Sequence, residues 1–195
     1  MAPIIKTERL KIPKPYAGLD SIKRERLYDS GDRNSVMIDV RPIHTDDDGR
    51  VAEIIKQVGR EFGAVGDGFG PGDDEVEAMS QHYLEDTGGL YLVAIVDDVV
   101  VGGGGVADFN GSQDVCELRK LFILPAGRGL GLGRLITQRC LAFARRWGYS
   151  QCYLDTLANM NSAIGLYESV GFQHLDQPLD GTLHNGCDVW MLKQL

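Results

Sequence analysis

The sequence has few features of a secreted or membrane protein. It holds only four cysteines in 195 residues, with no C-x-x-C pair and no histidine at metal-ligand spacing. We therefore expect reduced thiols, no metal site and a cytoplasmic location. The N-terminus has no apolar stretch typical of a signal peptide, and the longest apolar runs are far shorter than a membrane span. Neither a disulfide scaffold nor a membrane partner is expected.

Positive charge is also scarce. The chain has 20 lysines and arginines against 28 aspartates and glutamates, a net charge of −8. A nucleic-acid partner is not expected, because binding to phosphate backbones requires a basic face. Hydrophobic residues make up 43% of the chain and charged residues 25%, which is ordinary for a globular protein with one domain.

The chain divides into two parts by pattern. Residues 1–35 are rich in charge and proline and predict an N-terminal extension or arm, either solvated or packed on a neighbouring subunit, with one short helix over 19–28. Residues 36–195 show regular hydrophobic periods. The predicted strands are 36–41, 90–96, 99–106, 115–124, 151–154, 172–175 and 188–192. One predicted helix begins at 46–48, and three others cover 73–84, 132–147 and 162–170. Hairpins followed by a strand–helix–strand–helix pattern indicate one α/β domain with a mixed sheet.

Glycine is concentrated in three places. A loop predicted over 59–72 holds six glycines, and the run 102–105 inside a strand predicts a bulge or a close backbone approach. Residues 127–133 alternate four glycines with other residues immediately before the 132–147 helix. In such a turn the backbone curls tightly and brings its N–H groups close to an anion, while the helix directs its positive end to the same place.

Charge supports a phosphate ligand at this turn. Between residues 119 and 146 lie seven basic residues and no acid. Arg128 and Arg134 flank the turn, so we expect these two side chains to contact phosphate. A dinucleotide motif requires G-x-G-x-x-G. Here the third glycine would fall on Leu132 or Arg134, so the spacing does not match that motif. A Walker loop requires G-K-[ST], which is absent.

Two motifs resemble the GNAT superfamily of acyl-CoA N-acyltransferases. Residues 117–125 (ELRKLFILP), followed by Arg128-x-x-Gly131-x-Gly133, are similar to that family's central strand and its R/Q-x-x-G-x-G/A cofactor motif. Residues 163–172 (AIGLYESVGF) are similar to its A-x-x-L-Y-E-x-x-G-F motif. The resemblance covers residues 36–195 and implies a single-domain, mostly antiparallel sheet that is splayed at the central strand and flanked by helices.

The resemblance implies acetyl-CoA as the co-substrate. Its diphosphate would lie on the amides of the turn and its pantetheine arm along the splayed strand, where the N–H of Phe122 or Ile123 could polarise the thioester carbonyl. Many family members carry an asparagine seven residues before the tyrosine of the second motif; here that position is Met160, between Asn159 and Asn161. The implied cofactor-binding residues are Leu121, Phe122, Ile123, Arg128, Gly129, Leu130, Gly131, Leu132, Gly133, Arg134 and Asn161.

The resemblance also implies the catalytic groups. Tyr167 occupies the family's tyrosine position and is the candidate acid for the departing thiolate. Glu117 on the central strand and Asp155 at the end of the next strand are both candidates for the base that deprotonates the amine. His184 and Cys187 fall in the last loop, which is interpreted either as an ordinary surface loop or as a border of the acceptor pocket.

The predicted activity is acetyl transfer to a primary amine by direct attack in a ternary complex. The acceptor, a small molecule or peptide, would bind among residues 62–69, 73–84 and the loop near His184. Acids in this region are compatible with a cationic acceptor or with helix capping: Asp67, Asp73, Asp74 and Glu75. The alternatives are a non-catalytic acyl-CoA-binding module and a nicotinamide-dependent oxidoreductase. The family's habits and the N-terminal arm also favour a homodimer.

Overall fold

The computed structural model describes residues 25–27, 36–66 and 68–195. Within those ranges, one sheet has the strand order β1-β2-β3-β4-β5-β6-β8-β7. The strands are β1 (Glu25–Leu27), β2 (Val36–Pro42), β3 (Leu90–Val96), β4 (Val99–Asp108), β5 (Val115–Ile123), β6 (Gln151–Thr156), β7 (Gln173–Leu175) and β8 (Val189–Gln194). Neighbouring strands pair antiparallel, except that β5 and β6 pair in parallel. The predicted mixed, mostly antiparallel α/β sheet is confirmed.

Helices cover both faces of the sheet. They are α1 (Asp48–Phe62), α2 (Met79–His82), α3 (Leu132–Trp147) and α4 (Asn161–Ser169), and a 3-10 turn over Asp74–Ala78 leads into α2. On one face, α3 and α4 bury Ile136, Phe143 and Tyr167 in the main core. On the other face, α1 and the segment around α2 bury Ile55 and Tyr83 in a second core. The sheet is therefore the middle of three layers.

Two predicted helices differ from the structure. The helix predicted over 19–28 is wrong for Glu25–Leu27, which pairs as a strand with β2; its other residues lie outside the described ranges. The helix predicted over 73–84 is a 3-10 turn followed by the four-residue α2. The helical run breaks at Ala78, where the backbone leaves the helical region with φ −147° and ψ 49°.

The first helix is longer than predicted, and α3 has the predicted boundaries. The loop expected from residue 59 begins later, because Phe62 continues the apolar period of α1 and Gly63 ends the helix at φ 81°. At the end of α3, Gly148 adopts φ 112° and donates its N–H to the Ala144 carbonyl. Both helices therefore end at a left-handed glycine, and the sequence predicts this stop for α3.

The glycines of β4 allow an aromatic ring to lie against the strand. A Cβ at Gly103 or Gly105 would lie 2.6 Å from the ring of Tyr91. The Tyr91 hydroxyl donates to the Lys120 carbonyl of β5 at 3.1 Å. At this point the β4–β5 register shifts between Gly103 and Gly105, and Lys120 adopts φ 52°. The bulge predicted for residues 102–105 is confirmed, and Tyr91 holds it in place.

The strands β5 and β6 diverge partway along β5. Their pairing covers Val115–Glu117 and Gln151–Tyr153, after which β6 remains paired with β8. The strand β5 continues to Ile123, so a gap opens on its β6 side where backbone groups have no strand partner. The splay predicted at the central strand is confirmed.

Replacing Gly103 by alanine should disturb this arrangement. The new Cβ would meet Tyr91 Cε1 at 2.6 Å and the Leu92 carbonyl oxygen at 2.8 Å, so we expect the free energy of unfolding to fall by about 2 kcal/mol. Urea denaturation measures this change. The matched control is Gly49→Ala in α1, where a Cβ has nothing within 4 Å and stability should change by less than about 1 kcal/mol. Equal stability of the two variants would contradict the close approach at Gly103.

Candidate active site

The turn between β5 and α3 presents a row of amide N–H groups. Gly129 and Gly131 adopt φ angles of 79° and 76°, which glycine reaches without strain. In the described part of the chain, the N–H groups of residues 129–134 donate no hydrogen bond to another backbone group, and the first bond of the helix runs from Leu135 N to Gly131 O. An anion here would meet several donors and the positive end of α3.

Arg128 and Arg134 contact protein groups beside the turn. Arg128 forms a bidentate pair with Glu61 at 2.6 and 2.7 Å, and its guanidinium lies 5.6 Å from the centre of the Phe62 ring. Its hydrogen bonds to Glu61 hold the pKa of that exposed carboxyl below its usual value. Arg134 Nη2 donates to Ser169 Oγ at 2.9 Å. Contact of either arginine with phosphate stays a prediction.

The basic residues between 119 and 146 do not form a single patch. Arg119 and Lys120 turn inward towards carboxylates, and Arg139 donates to the Val40 carbonyl. Several of the seven basic residues are therefore not available to a phosphate ligand, and the prediction of a phosphate site depends mainly on the backbone amides of the turn.

Two cavities meet beside β5. The smaller one, about 70 Å³, lies in the gap between β5 and β6 and is lined by Leu121, Phe122, Asp155, Met160, Tyr167 and Cys187, among others. The larger one, about 700 Å³, is lined by residues that include Asp73, Asp74, Glu75, His82, Asn110 and Leu183. Phe69, Glu117, Arg119 and His184 belong to both linings and so form the boundary between them. Of the acids expected near the acceptor, Asp67 lies outside the described residues.

Glu117 is a buried carboxylate at this boundary. Its residue is 6% exposed, its Oε2 lies 2.8 Å from Arg119 Nε, and its Oε1 lies 3.7 Å from His184 Nδ1. Burial raises the pKa of Glu117, while the Arg119 charge opposes the rise. A carboxylate of this kind is a stronger base than an exposed one.

His184 lies between two carboxylates. Its Nδ1 is 3.1 Å from Asp155 Oδ1 and Oδ2, and its Nε2 is 3.1 Å from Asp73 Oδ2. Burial alone would lower the pKa of His184, but the hydrogen bonds to these two carboxylates raise it to about 10. The ring is therefore an imidazolium at neutral pH. The interpretation of His184 as an ordinary surface residue is wrong, because the residue is only 7% exposed.

Lys120 is a second buried cation that sequence reasoning does not identify. Its Nζ lies 2.6 Å from Asp73 Oδ2 and 2.6 Å from Glu75 Oε1. Regular alternation would direct Lys120 and its neighbour Arg119 to opposite faces of the sheet. The bulge at Lys120 breaks the alternation, so both cations reach Glu75. The glycine run in β4 opposite Lys120 indicates a bulge, but it does not indicate that the lysine turns inward.

Asp155 is surrounded by donors. Its carboxylate accepts hydrogen bonds from Thr182 Oγ1 at 3.1 Å, from His184 Nδ1 at 3.1 Å and from Cys187 Sγ at 3.5 Å. The loop that carries His184 and Cys187 is therefore fastened to the end of β6. A carboxylate that already accepts these hydrogen bonds is suited to holding His184 in position.

Tyr167 extends from α4 to the smaller cavity. The residue is 6% exposed, and its ring packs on Phe172 with the centroids 5.9 Å apart. Burial raises the pKa of Tyr167, and the charge of Asp155 raises it further. The phenol therefore keeps its proton and can serve as a hydrogen-bond donor in the gap.

The asparagines near the start of α4 have partners of their own. Asn159 Nδ2 donates to the Phe62 carbonyl at 3.0 Å, and the exposed Asn161 lies 3.4 Å from the Asn159 carbonyl through its Nδ2. Met160 lies between them, lines the smaller cavity and accepts from Thr156 Oγ1 at 3.4 Å. The role of Asn161 in cofactor binding stays a prediction.

Glu117, Asp155 and His184 also have the spacing of metal ligands. One ligand atom from each lies within 4.8 Å of the others, and two carboxylates with an imidazole form a plausible donor set. The same three side chains also form ion pairs with one another through His184 Nδ1, which lies 3.1 Å from Asp155 and 3.7 Å from Glu117.

Comparison with known proteins identifies the class. Residues 60–172 match the model of the Acetyltransferase (GNAT) family. The chain is 39% identical over 158 residues to the uncharacterized N-acetyltransferase YjgM of Escherichia coli, covering 80% of this chain and 94% of YjgM. It is 33% identical over 101 residues to the N-acetylaspartate synthetase of Xenopus tropicalis, covering 52% of this chain and 37% of that protein. The chain belongs to the GNAT family. It is an N-acetyltransferase, and the oxidoreductase and binding-module alternatives are not supported.

Solved structures share the fold. A GNAT acetyltransferase of Staphylococcus aureus has a TM-score of 0.69 at 19% identity, covering 81% of this chain and 99% of the other. The yncA protein of Salmonella typhimurium, solved with its cofactor acetyl-CoA, has a TM-score of 0.65 at 23% identity, covering 81% of this chain and 94% of yncA. The PaiA N-acetyltransferase of Thermoplasma acidophilum, solved with coenzyme A, has a TM-score of 0.61 at 16% identity, covering 81% and 99%. In the described part of the chain, none of the helices combines the length and the hydropathy that spanning a bilayer requires.

The ion pairs of His184 should make stability depend on pH. Because the folded protein raises the pKa from 6.5 to about 10, the pairs stabilise fully below pH 6.5, and their contribution is lost as pH rises through 10. Relative to the wild type, His184→Gln should lower the free energy of unfolding by about 3 kcal/mol at pH 6, and this difference should shrink towards pH 11. Denaturant titrations at several pH values measure it.

The control for this series is His174→Gln. His174 lies at the surface beside Glu168, and both side chains are about half exposed, so its removal should cost less than about 1 kcal/mol at every pH. A cost for His184→Gln that is independent of pH would contradict the charged state of the ring.

Proposed function

We propose that this N-acetyltransferase moves an acetyl group from acetyl-CoA directly to a primary amine in a ternary complex, with Glu117 as the general base. The observation that carries the proposal is the position of Glu117 at the boundary of the two cavities. A thioester in the smaller cavity and an amine in the larger one would meet at this carboxylate. Holding both reactants in contact removes the need for a covalent enzyme intermediate.

Acetyl-CoA would bind along the gap and the turn. Its diphosphate would accept hydrogen bonds from the amides of residues 129–134, and its pantetheine amides would pair with the β5 backbone over 121–123. The N–H of Phe122 or Ile123 would donate to the thioester oxygen as negative charge develops there. The yncA and PaiA structures hold acetyl-CoA and coenzyme A, which supports the same class of ligand here.

The hydrogen-bonding partners favour Glu117 over Asp155 as the base. Asp155 already accepts from Thr182, His184 and Cys187, and it lines only the smaller cavity. Glu117 faces both cavities, and its raised pKa suits it to receive a proton near neutral pH. Asp155 is then a positioning residue that holds the His184 loop.

These groups account for the proton transfers and for the bonds formed and broken in the proposed reaction. The acceptor ammonium gives one proton to Glu117, and its nitrogen then attacks the carbonyl carbon of the thioester. A C–N bond forms, the C–S bond breaks, and the second proton leaves the nitrogen as the amide forms. The departing sulfur takes up a proton and leaves as the thiol of coenzyme A. Tyr167 would donate a hydrogen bond to that sulfur as it departs.

A covalent route through Cys187 is less well supported. Its Sγ lies 3.5 Å from Asp155 Oδ1 and it lines the smaller cavity, so it is near the expected thioester. Burial raises the pKa of the Cys187 thiol, and the charge of Asp155 raises it further. Because the thiolate is the nucleophilic form, this environment disfavours an acetyl-cysteine intermediate.

The proposal includes the organisation of the chain. Residues 36–195 would form the acyltransferase domain of a cytoplasmic enzyme, with 1–35 as an arm. The pairing of Glu25–Leu27 with β2 supports an arm that contributes one strand to the sheet, and a homodimer would use the same region.

Two substitutions at Gly131 test the diphosphate site. A Cβ there has nothing within 4 Å, and asparagine and aspartate have the same size and tolerate positive φ better than other residues. Only aspartate adds a charge beside the diphosphate. We expect the Kd for coenzyme A to be about tenfold higher in Gly131→Asp than in Gly131→Asn at low salt, measured by calorimetry. Equal Kd values would count against phosphate at this turn.

Steady-state kinetics over pH test the catalytic groups. Glu117→Gln should lower kcat/KM by about 100-fold at pH 7, and its residual activity should rise with pH towards the pKa of the free amine, because the variant depends on amine that is already deprotonated. Tyr167→Phe should lower kcat about tenfold and leave the shape of the pH profile unchanged.

Coenzyme A affinity is the control in both variants and should change little. A wild-type pH profile in Glu117→Gln would remove Glu117 as the base, and an unchanged kcat in Tyr167→Phe would remove Tyr167 as the donor.

A further inference from the structure

The boundary of the two cavities rests on a buried cluster with an excess of negative charge. The cluster is a chain of ion pairs whose members contact one another at 2.6 to 3.9 Å. It contains four carboxylates, Asp73, Glu75, Glu117 and Asp155, and three cations, Arg119, Lys120 and His184. Even with His184 charged, one carboxylate has no cation to balance it.

Each of the three cations of this cluster faces protein groups. Arg119 lies 2.8 Å from Glu117 through Nε and 3.9 Å from Glu75 through Nη1, and its Nη2 donates to the Asp108 carbonyl. The side chain of Lys120 is 2% exposed, so a substrate cannot reach it. Both ring nitrogens of His184 face carboxylates. A substrate carboxylate in the larger cavity would therefore find none of these three cations available to pair with it.

The outer part of the larger cavity adds further negative charge. Asp74 lines it at the exposed start of the 3-10 turn, and no ion pair to Asp74 occurs among the described residues. Asp108 also belongs to the lining, and its Oδ2 accepts the Gly111 N–H. Apart from Arg119, the basic side chains of the lining are His82 and His184.

We infer that the acceptor is an aliphatic primary amine that carries a second positive charge and no carboxylate, a diamine or polyamine. Its reacting ammonium would supply the cation that the buried cluster lacks, next to Glu117. Its distal ammonium would face Asp74. A cavity of about 700 Å³ has room for an extended chain between these two points. The inference rests on the proposed function and specifies the acceptor class for it.

Three amines of equal chain length separate the effect of charge from that of size. They are 1,5-diaminopentane, n-pentylamine and 5-aminopentanoate, whose distal ends are cationic, apolar and anionic. Release of coenzyme A thiol with acetyl-CoA as donor measures kcat/KM for each. We expect the diamine to exceed pentylamine by about tenfold, and 5-aminopentanoate to be the poorest acceptor.

A surface substitution tests the distal contact. Asp74→Asn should reduce the preference for the diamine over pentylamine to about threefold or less. Asp176→Asn is the matched control, because Asp176 is exposed and lines neither cavity; its preference should equal that of the wild type. An unchanged preference in Asp74→Asn would overturn the assignment of the distal ammonium.

The remaining outcomes distinguish this inference from the proposed function. Equal rates for the three amines, or a preference for 5-aminopentanoate, would overturn the inference and leave acetyl transfer intact. Failure of all three amines while coenzyme A still binds in calorimetry would also overturn the inference. Failure of all three together with no binding of coenzyme A would overturn the proposed function, and the inference with it.

Discussion

The divergence of β5 and β6 is the constraint on which the rest of the site depends. Pairing ends at Glu117, so the residue that stops the parallel ladder is the same one whose carboxylate stands between the two cavities. Beyond it, the pairing of β5 with β4 shifts register at a bulge, where Tyr91 donates a hydrogen bond to the Lys120 carbonyl. If β5 and β6 were paired along their whole length, no gap would open beside β5.

The ion cluster depends on the bulge in β5. By turning Lys120 to the face that Arg119 already occupies, the bulge places two cations among the carboxylates of Asp73, Glu75 and Glu117. His184 joins the same cluster from the last loop. Burying so many charges is costly unless each is paired, so the cluster fixes the positions of loops that are distant in sequence. The cluster leaves Glu117 as a buried carboxylate with a raised pKa, and its four carboxylates outnumber its three cations.

The sequence predicts the fold more completely than the site. Hydrophobic periods and glycine stops determine α3, and the GNAT-like motifs locate the turn, the central strand and Tyr167. The roles of His184 and Lys120 could not be predicted, because burial of a loop histidine and reversal of one strand residue both arise from tertiary contacts. A local sequence pattern also does not show which charges are paired. Arg119 is therefore included in a basic segment although its side chain faces Glu117. The helix expected over 73–84 failed at Ala78 for a related reason: tertiary packing of the turn overrode its propensity.

Amide hydrogen exchange with and without acetyl-CoA is the most direct measurement of the central claim, that one continuous strip of backbone from the β5 gap to the start of α3 receives the cofactor. Saturating acetyl-CoA should slow exchange at residues 121–123 and 129–134 together, while β2 and β3 on the far side of the sheet change little. Protection confined to another region, or no protection at either segment with the cofactor bound, would contradict the account.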